Sequence, residues 1–304
     1  MEIKDISVEQ ITANDSDYLV LQNPTTGIAY KITRANFLAG LSSGSTLSTG
    51  FLLDGIPDVI SARSTRQLSS TYKGFALQAM LSDNSVKDIS FASRTLDTAT
   101  LKTFGGSANV YVRNFCDQVG NFTTTSTSPP KIIDAGILQT AGSKPTVSYS
   151  GNFLAIPIST GYPITIIAAV KISGATNGAF IKYGDTNNGI GIGCGNGTFD
   201  SSGINLTALN EAIAWISSNN PLSTSQMSIV EINSVGTSTS IYLNGTLITT
   251  GGGSNIPSGN YIIGGYGSRM PNCQITEDII FNQIITAGTR AKIVSNMMTY
   301  YGIT

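Results

Sequence analysis

The chain has 304 residues, only 12% of them charged, and a formal net charge of −1, whereas soluble proteins carry roughly 25% charged residues. That balance leaves no electrostatic footprint for nucleic acid, and the lack of any histidine removes Ser-His-Asp and Cys-His nucleophiles and every His-based zinc site. Polarity comes from Ser, Thr, Asn and 33 Gly, and with aromatic and β-branched residues spread throughout this predicts many short strands and tight turns.

At the N-terminus Glu2, Lys4 and Asp5 stand where a signal peptide would be apolar, so none is expected. No apolar run reaches the roughly 18 residues of a membrane span. Residues 1–41 read as a compact module: a strand over 18–21, a turn at Asn23-Pro24-Thr25-Thr26-Gly27, a return strand over 28–32, and Thr33 capping a short helix over 34–41. Such a unit is too small to hold a core alone. Its apolar residues Leu19, Leu21, Ile28, Ile32, Phe37 and Leu38 therefore need a surface from elsewhere, either sister chains in a homo-oligomer (a trimer, by analogy with fibres) or another subunit. A Ser/Gly-rich linker follows over 42–56, and residues 57–304 read as one large all-β unit.

Within that unit, "NVYVRNFCDQVGNF" (109–122) is a strand that delivers Cys116 and Asp117 to a turn. Without histidine, Cys116 has no base to make it a nucleophile, so the stretch reads as scaffold. The run Ile164–Ile172 is a strand buried on both faces. "GDTNNG" (184–189) resembles a calcium loop in Asp185 and Asn187, but an acid is missing at the twelfth position, where Asn196 stands, so a hairpin turn is expected and no cofactor beyond a calcium ion in a lectin-like loop. In "GIGIGC" (189–194) Ile190, Ile192 and Cys194 face one way and only glycine the other, open to close approach by a second sheet, a symmetry mate or a sugar ring. Residues 206–218 read as an amphipathic helix carrying Trp215, the single tryptophan. "SIYLNGTLIT" (240–249) is a hairpin turning on Asn244-Gly245. Ala287, Ala291, Val294, Met298 and Tyr301 form one helical stripe ended by Gly302, and Val294, Met298 and Tyr301 are expected to pack that helix on the edge of the β unit.

Cys116, Cys194 and Cys273 show no CxxC spacing and read as reduced, buried thiols of a protein made in a cytosol. Glycoside hydrolysis needs only two carboxyl groups roughly 5 to 10 Å apart. Beyond residue 130 the acids are Asp134, Asp185, Asp200, Glu211, Glu231, Glu277 and Asp278. Glu231 is expected on an outward sheet face, no second acid pairs with it from sequence, and no catalytic residue is assigned.

Three stretches carry a family resemblance. "RQLSSTYKGFALQAM", "LDTATLKTF" and "VYVRNFCDQVGN" resemble, in that order, the N-terminal part of the α-L-arabinofuranosidase B catalytic-type domain as it recurs in phage proteins. Leu68, Tyr72, Gly74, Ala76, Leu96, Asp97, Asp117, Gln118, Gly120 and Asn121 match, while Phe115, Cys116 and Val119 depart. "IYLNGTLI", "YIIGG" and "ITEDIIFNQIITAGTRAKIVSNMMTYYGI" are similar to concanavalin A-like lectin/glucanase sandwiches of the LamG type, with Glu277 and Asn282 in matching positions. The resemblance implies a concanavalin A-like antiparallel β-sandwich (a jelly roll), with Asp117, Gln118 and Asn121 in a structural corner; the family's catalytic carboxylates map onto no residue here. "DYLVLQNPTTGIAYKITRANFLAGL" resembles the short N-terminal modules of tailed-phage virion proteins.

Together these imply a virion surface protein (capsid decoration, head fibre or tail fibre) made in a bacterial cytoplasm, its partners other virion proteins. Its sandwich is expected to bind host or environmental glycans through Asp185, Asn187, Trp215 and Tyr266 rather than to act as an enzyme. The alternatives are a glycosidase or depolymerase on the same fold, and a decoration with no ligand.

Overall fold

The structure is a computed structural model that describes residues 18–22, 29–33, 50–158, 161–184, 189–198, 201–210, 214–252, 259–265 and 271–303. It divides into two compact units, Met1–Gly50 and Phe51–Thr304. In the first, strands β1 (Tyr18–Gln22) and β2 (Ala29–Thr33) form an antiparallel hairpin with Leu19 opposite Ile32 and Leu21 opposite Tyr30. Ile28, Phe37, Leu38, the helix expected over 34–41 and the linker over 42–49 lie outside the described residues, as do the side chains of Leu19, Leu21 and Ile32.

The second unit is an all-β sandwich with a C-terminal helix. It begins six residues earlier than the expected boundary at 57, because Leu52 and Leu53 are already buried in it. In chain order its strands are β3 (Val59–Ser64), β4 (Leu77–Met80), β5 (Val86–Ile89), β6 (Val110–Phe115), β7 (Lys131–Asp134), β8 (Val147–Tyr149), β9 (Leu154–Ile156) and β10 (Ile164–Ile172). They continue with β11 (Gly178–Gly184), β12 (Gly189–Gly195), β13 (Asn205–Asn210), β14 (Ala214–Pro221), β15 (Ser228–Ser234), β16 (Ser238–Leu243), β17 (Thr246–Gly252), β18 (Tyr261–Ile263) and β19 (Cys273–Phe281). Helices α1 (Thr98–Gly105) and α2 (Ala287–Tyr301) complete it.

One sheet runs β17-β16-β15-β10-β19-β8-β7-β6-β4-β5, with β3 also on β19; the other, of six strands, runs β9-β18-β11-β12-β13-β14. The interior between them gathers Ile166, Ala168 and Val170 of β10 against Phe180, Tyr183, Ile190 and Ile192 of the six-stranded sheet. The alternate residues of β10, Ile167 and Ala169, face the opposite side, where Ile293, Val294, Met297 and Tyr301 of α2 cover them together with Ile229, Ile279 and Phe281. This explains the unbroken apolar run of β10, which has a core on each face. It also corrects the expected placement of α2, which lies across the outer face of the large sheet rather than along an edge. The burying stripe adds Ile293 and Met297, while Ala287 and Ala291 stay exposed and Met298 is half-buried. Thr286 caps the helix through Thr289 N, and Gly302 closes it at φ 67°.

The helix expected over 206–218 is instead the hairpin pair β13 and β14. Ala, Leu and Glu give the segment helical propensity, but β12 offers it a six-residue ladder from Ile190–Asn210 to Gly195–Asn205, and tertiary pairing overrides so weak a preference. Asn244 and Gly245, at φ 50° and 82°, make the expected two-residue turn between β16 and β17.

Candidate functional site

The corner after β6 is built around the Asp117 carboxylate. Its Oδ1 accepts the backbone N–H groups of Ala62 (3.0 Å), Val119 (2.9 Å) and Gly120 (3.1 Å), while Oδ2 accepts the Ser61 hydroxyl at 2.6 Å. Gln118 stitches the next segment, accepting Leu68 N at 2.7 Å and donating to Arg66 O at 2.8 Å. Asn121 turns the chain at φ 58°. Burial, helped by the charges of Asp88 and Asp117, pushes the neighbouring Cys116 thiol up to about 12, so it stays protonated and unreactive near neutral pH.

Three more carboxylates lie buried in the large sheet, each with its own arginine. Register places Arg63 of β3 opposite Asp278 of β19, inside the sandwich. Arg63 Nε donates to Asp278 Oδ1 at 3.1 Å, its Nη2 pairs with Oδ2, its Nη1 reaches Ser61 Oγ at 2.7 Å, and the guanidinium lies 5.3 Å over Tyr261. Burial raises Asp278 above the usual carboxylate range even against the opposing pull of Arg63. One residue along β19 and on the opposite face, Glu277 receives Arg66 (2.7 and 3.0 Å), Ser64 Oγ (2.9 Å) and the Tyr301 hydroxyl (3.1 Å), while Arg66 also reaches Asn296 at 2.8 Å. On β15, Glu231 takes both contacts of Arg290 Nε at 2.7 and 2.9 Å beneath α2, and burial outweighs that partner to raise its pKa. Glu231 thus faces the helix rather than solvent, and it joins α2 to the sheet instead of presenting an acid to a ligand. Sequence reasoning missed these pairs. The signal was there in Arg63 inside β3, Arg66 just beyond its end and Glu277-Asp278 inside an otherwise apolar strand, since buried charges must find partners.

The remaining described carboxylates of this unit also have structural partners: Asp54 with Ser70 N, Asp58 with Gln283, Asp83 with Ser85 N, Asp88 with Gln78, Asp97 with Thr100, and Asp134 with Lys131. A cavity of about 580 Å³ beside α2 and the tip at Asn244 has Arg290 as its charged lining residue, already taken by Glu231.

Asp185, Asn187 and Tyr266 lie outside the described residues, as do Asp200 and Glu211 and the side chain of Trp215. The strands around them are described. Gly184 pairs with Gly189 and Ile190 with Asn210, so the strand ends that precede Asp185 and Glu211 stand at the same end of the six-stranded sheet, two strands and therefore about 10 Å apart. Across the outer face of that sheet, register aligns Ala155, Ile262, Lys182, Gly191 and Leu209 in one row. Ile190, Ile192 and Cys194 point into the sandwich, so the glycine face of β12 looks away from the second sheet, contrary to the first of the three readings of "GIGIGC". What comes close is the chain's own backbone: a Cβ at Gly193 would strike the Gly178 carbonyl, and one at Gly195 that of Thr198.

No protein-family model matches the chain, and no curated protein matches it in sequence. Solved structures share its fold. An arabinofuranosidase complexed with arabinofuranosyl-α-1,2-xylobiose superposes with a TM-score of 0.61 at 16% identity, covering 82% of this chain and 64% of that one. A GH54 α-L-arabinofuranosidase soaked with a cyclic sulfate inhibitor gives 0.59 at 18% identity with the same coverage, and a variant soaked with 4-nitrophenyl α-L-arabinofuranoside gives 0.59 at 17%. The chain thus spans about two thirds of the length of these proteins. At such identities the likeness establishes the sandwich fold. The expectation of a non-enzymatic domain finds no support in it and is corrected to that extent, because these three solved structures are arabinofuranosidases.

Proposed function

We propose that residues 51–304 form a glycan-acting sandwich of the glycoside hydrolase type, with α-L-arabinofuranosyl substituents as its substrate class. The carrying observation is the fold likeness to arabinofuranosidases over 82% of the chain. The carboxylate inventory supports a location. Since the described acids are held in caps, turns, hydrogen bonds and ion pairs, the candidates we favour are Asp185 and Glu211, whose preceding strand ends stand at the same end of the six-stranded sheet. One would protonate the leaving oxygen while the other attacks the sugar carbon or activates water. The test is incubation of the full chain with arabinoxylan, reading released arabinose, beside Asp185→Asn and Glu211→Gln. Release that falls by at least about a hundredfold in each variant supports the assignment. Release unchanged in both would move the chemistry elsewhere, and no release with no binding would end the hydrolase reading.

The finer reading of a virion protein, with capsid or tail subunits as partners and a position on the particle surface, rests on the sequence resemblance of residues 1–41 to phage virion modules. On that reading the hairpin of β1 and β2 docks to sister chains or to another subunit. Deleting residues 1–41 should leave the second unit folded and abolish incorporation into particles; incorporation of the deletion would refute the anchor.

A further inference from the structure

Three Asn-Gly pairs fall among the described residues, and the fold treats them differently. An asparagine followed by glycine is chemically labile because no Cβ on the next residue shields the backbone nitrogen that attacks the side-chain amide. At Asn177-Gly178, the glycine is the first residue of β11 and pairs with Cys194. At Asn244-Gly245 the asparagine is locked: its N–H donates to Ile229 O at 2.7 Å and its Oδ1 accepts Ile229 N at 2.8 Å, within a turn fixed at φ 50° and 82°. Asn196-Gly197 follows the end of β12. Asn196 is exposed, and among the described residues its hydrogen bond runs from the backbone N–H to Ser201 O at 2.9 Å, with none made by the side-chain amide. Gly197 lies at φ 87°, and a Cβ there would meet nothing within 4 Å.

We propose that Asn196 is a site of spontaneous covalent modification in the folded protein. The Gly197 backbone nitrogen loses its proton to solvent base and attacks Cγ of Asn196, forming the new C–N bond while the side-chain nitrogen leaves as ammonia. Water then opens the five-membered imide at either carbonyl, giving aspartate or isoaspartate with no oxidant or reductant involved. The product makes the chain one charge more negative than its formal −1. The isoaspartyl form also adds a backbone methylene to the segment spanned by the hydrogen bond from Asn196 N–H to Ser201 O at 2.9 Å.

The full chain is aged in mildly alkaline buffer, and acidic species are located by peptide mapping and isoaspartyl methyltransferase labelling. The modification is expected at Asn196, lost in Asn196→Gln, with the Asn244 peptide of the folded chain unmodified while a synthetic 240–249 peptide deamidates in the same buffer. Label at Asn244 or Asn177 in the folded chain, an acidic species that survives Asn196→Gln, or ageing with no acidic species at all would overturn it.

Discussion

Arg63 and Asp278 sit on neighbouring strands with their charged groups fully buried, and their value to the fold depends on both being present. Removing one partner strands the other in a low-dielectric core, which typically costs about 3–5 kcal/mol. Arg63→Ala should therefore lower unfolding free energy by that amount in denaturant titration; a variant within about 1 kcal/mol of the parent would show that the pair contributes little. Cys116→Ser should leave any glycan turnover unchanged, because the thiol is held protonated and serves no reaction; abolished turnover in a folded variant would return the residue to the chemistry. Asp97 gives a pH test. Its carboxylate caps α1 through Thr100 N at 3.0 Å, and that backbone bond, followed by the Thr100 hydroxyl, lowers its pKa. A depressed folded pKa contributes stability that is present above the unfolded value of about 3.9 and disappears as pH falls through the folded value. The Tm gap between the parent and Asp97→Ala should therefore close on acidification below about pH 4, and a gap constant with pH would contradict the cap. Among these residues Asp117 was legible, because its motif announced a turn that needs an acceptor. The arginine partners were not, since pairing depends on which strands become neighbours, a property of topology and not of spacing.

Helix α2 is fastened to the large sheet by apolar packing and by the Glu231–Arg290 and Glu277–Tyr301 contacts. Val294, 4% exposed, lies at the centre of that contact and beside Gly245 of the hairpin tip. Val294→Asp should unfold or aggregate the domain, because it buries an unpaired charge, whereas Met298→Asp on the half-buried flank should be markedly milder by thermal melting. Equal melting points for the two would refute the packing face. The elements that were legible had strong local signatures: the apolar run of β10, the Asn-Gly turn and the Gly302 cap. Two-residue hairpins at Ser93-Arg94, Ala135-Gly136 and Gly142-Ser143 also hold positive φ at both turn residues, yet the first carries neither Asn nor Gly and gave no warning. The segment 206–218 misled for the complementary reason, because its local preference is helical and only the free edge of β12 makes it a strand pair.

At the scale of the molecule, the sandwich was legible from composition, turn chemistry and the resemblance of its two ends, and the structure has that class. Function was harder to read, because the same fold carries binding and hydrolysis, and the difference rests on where two acids stand. The described acids of the second unit have structural partners, and the strand ends that precede Asp185 and Glu211 stand at the same end of one sheet. The most direct measurement is release of 4-nitrophenolate from 4-nitrophenyl α-L-arabinofuranoside by the full chain, with Glu211→Gln as control. The account predicts release that exceeds the uncatalysed rate and collapses in the control; a folded chain that leaves this glycoside intact and whose Tm is unmoved by arabinose-containing glycans would contradict it.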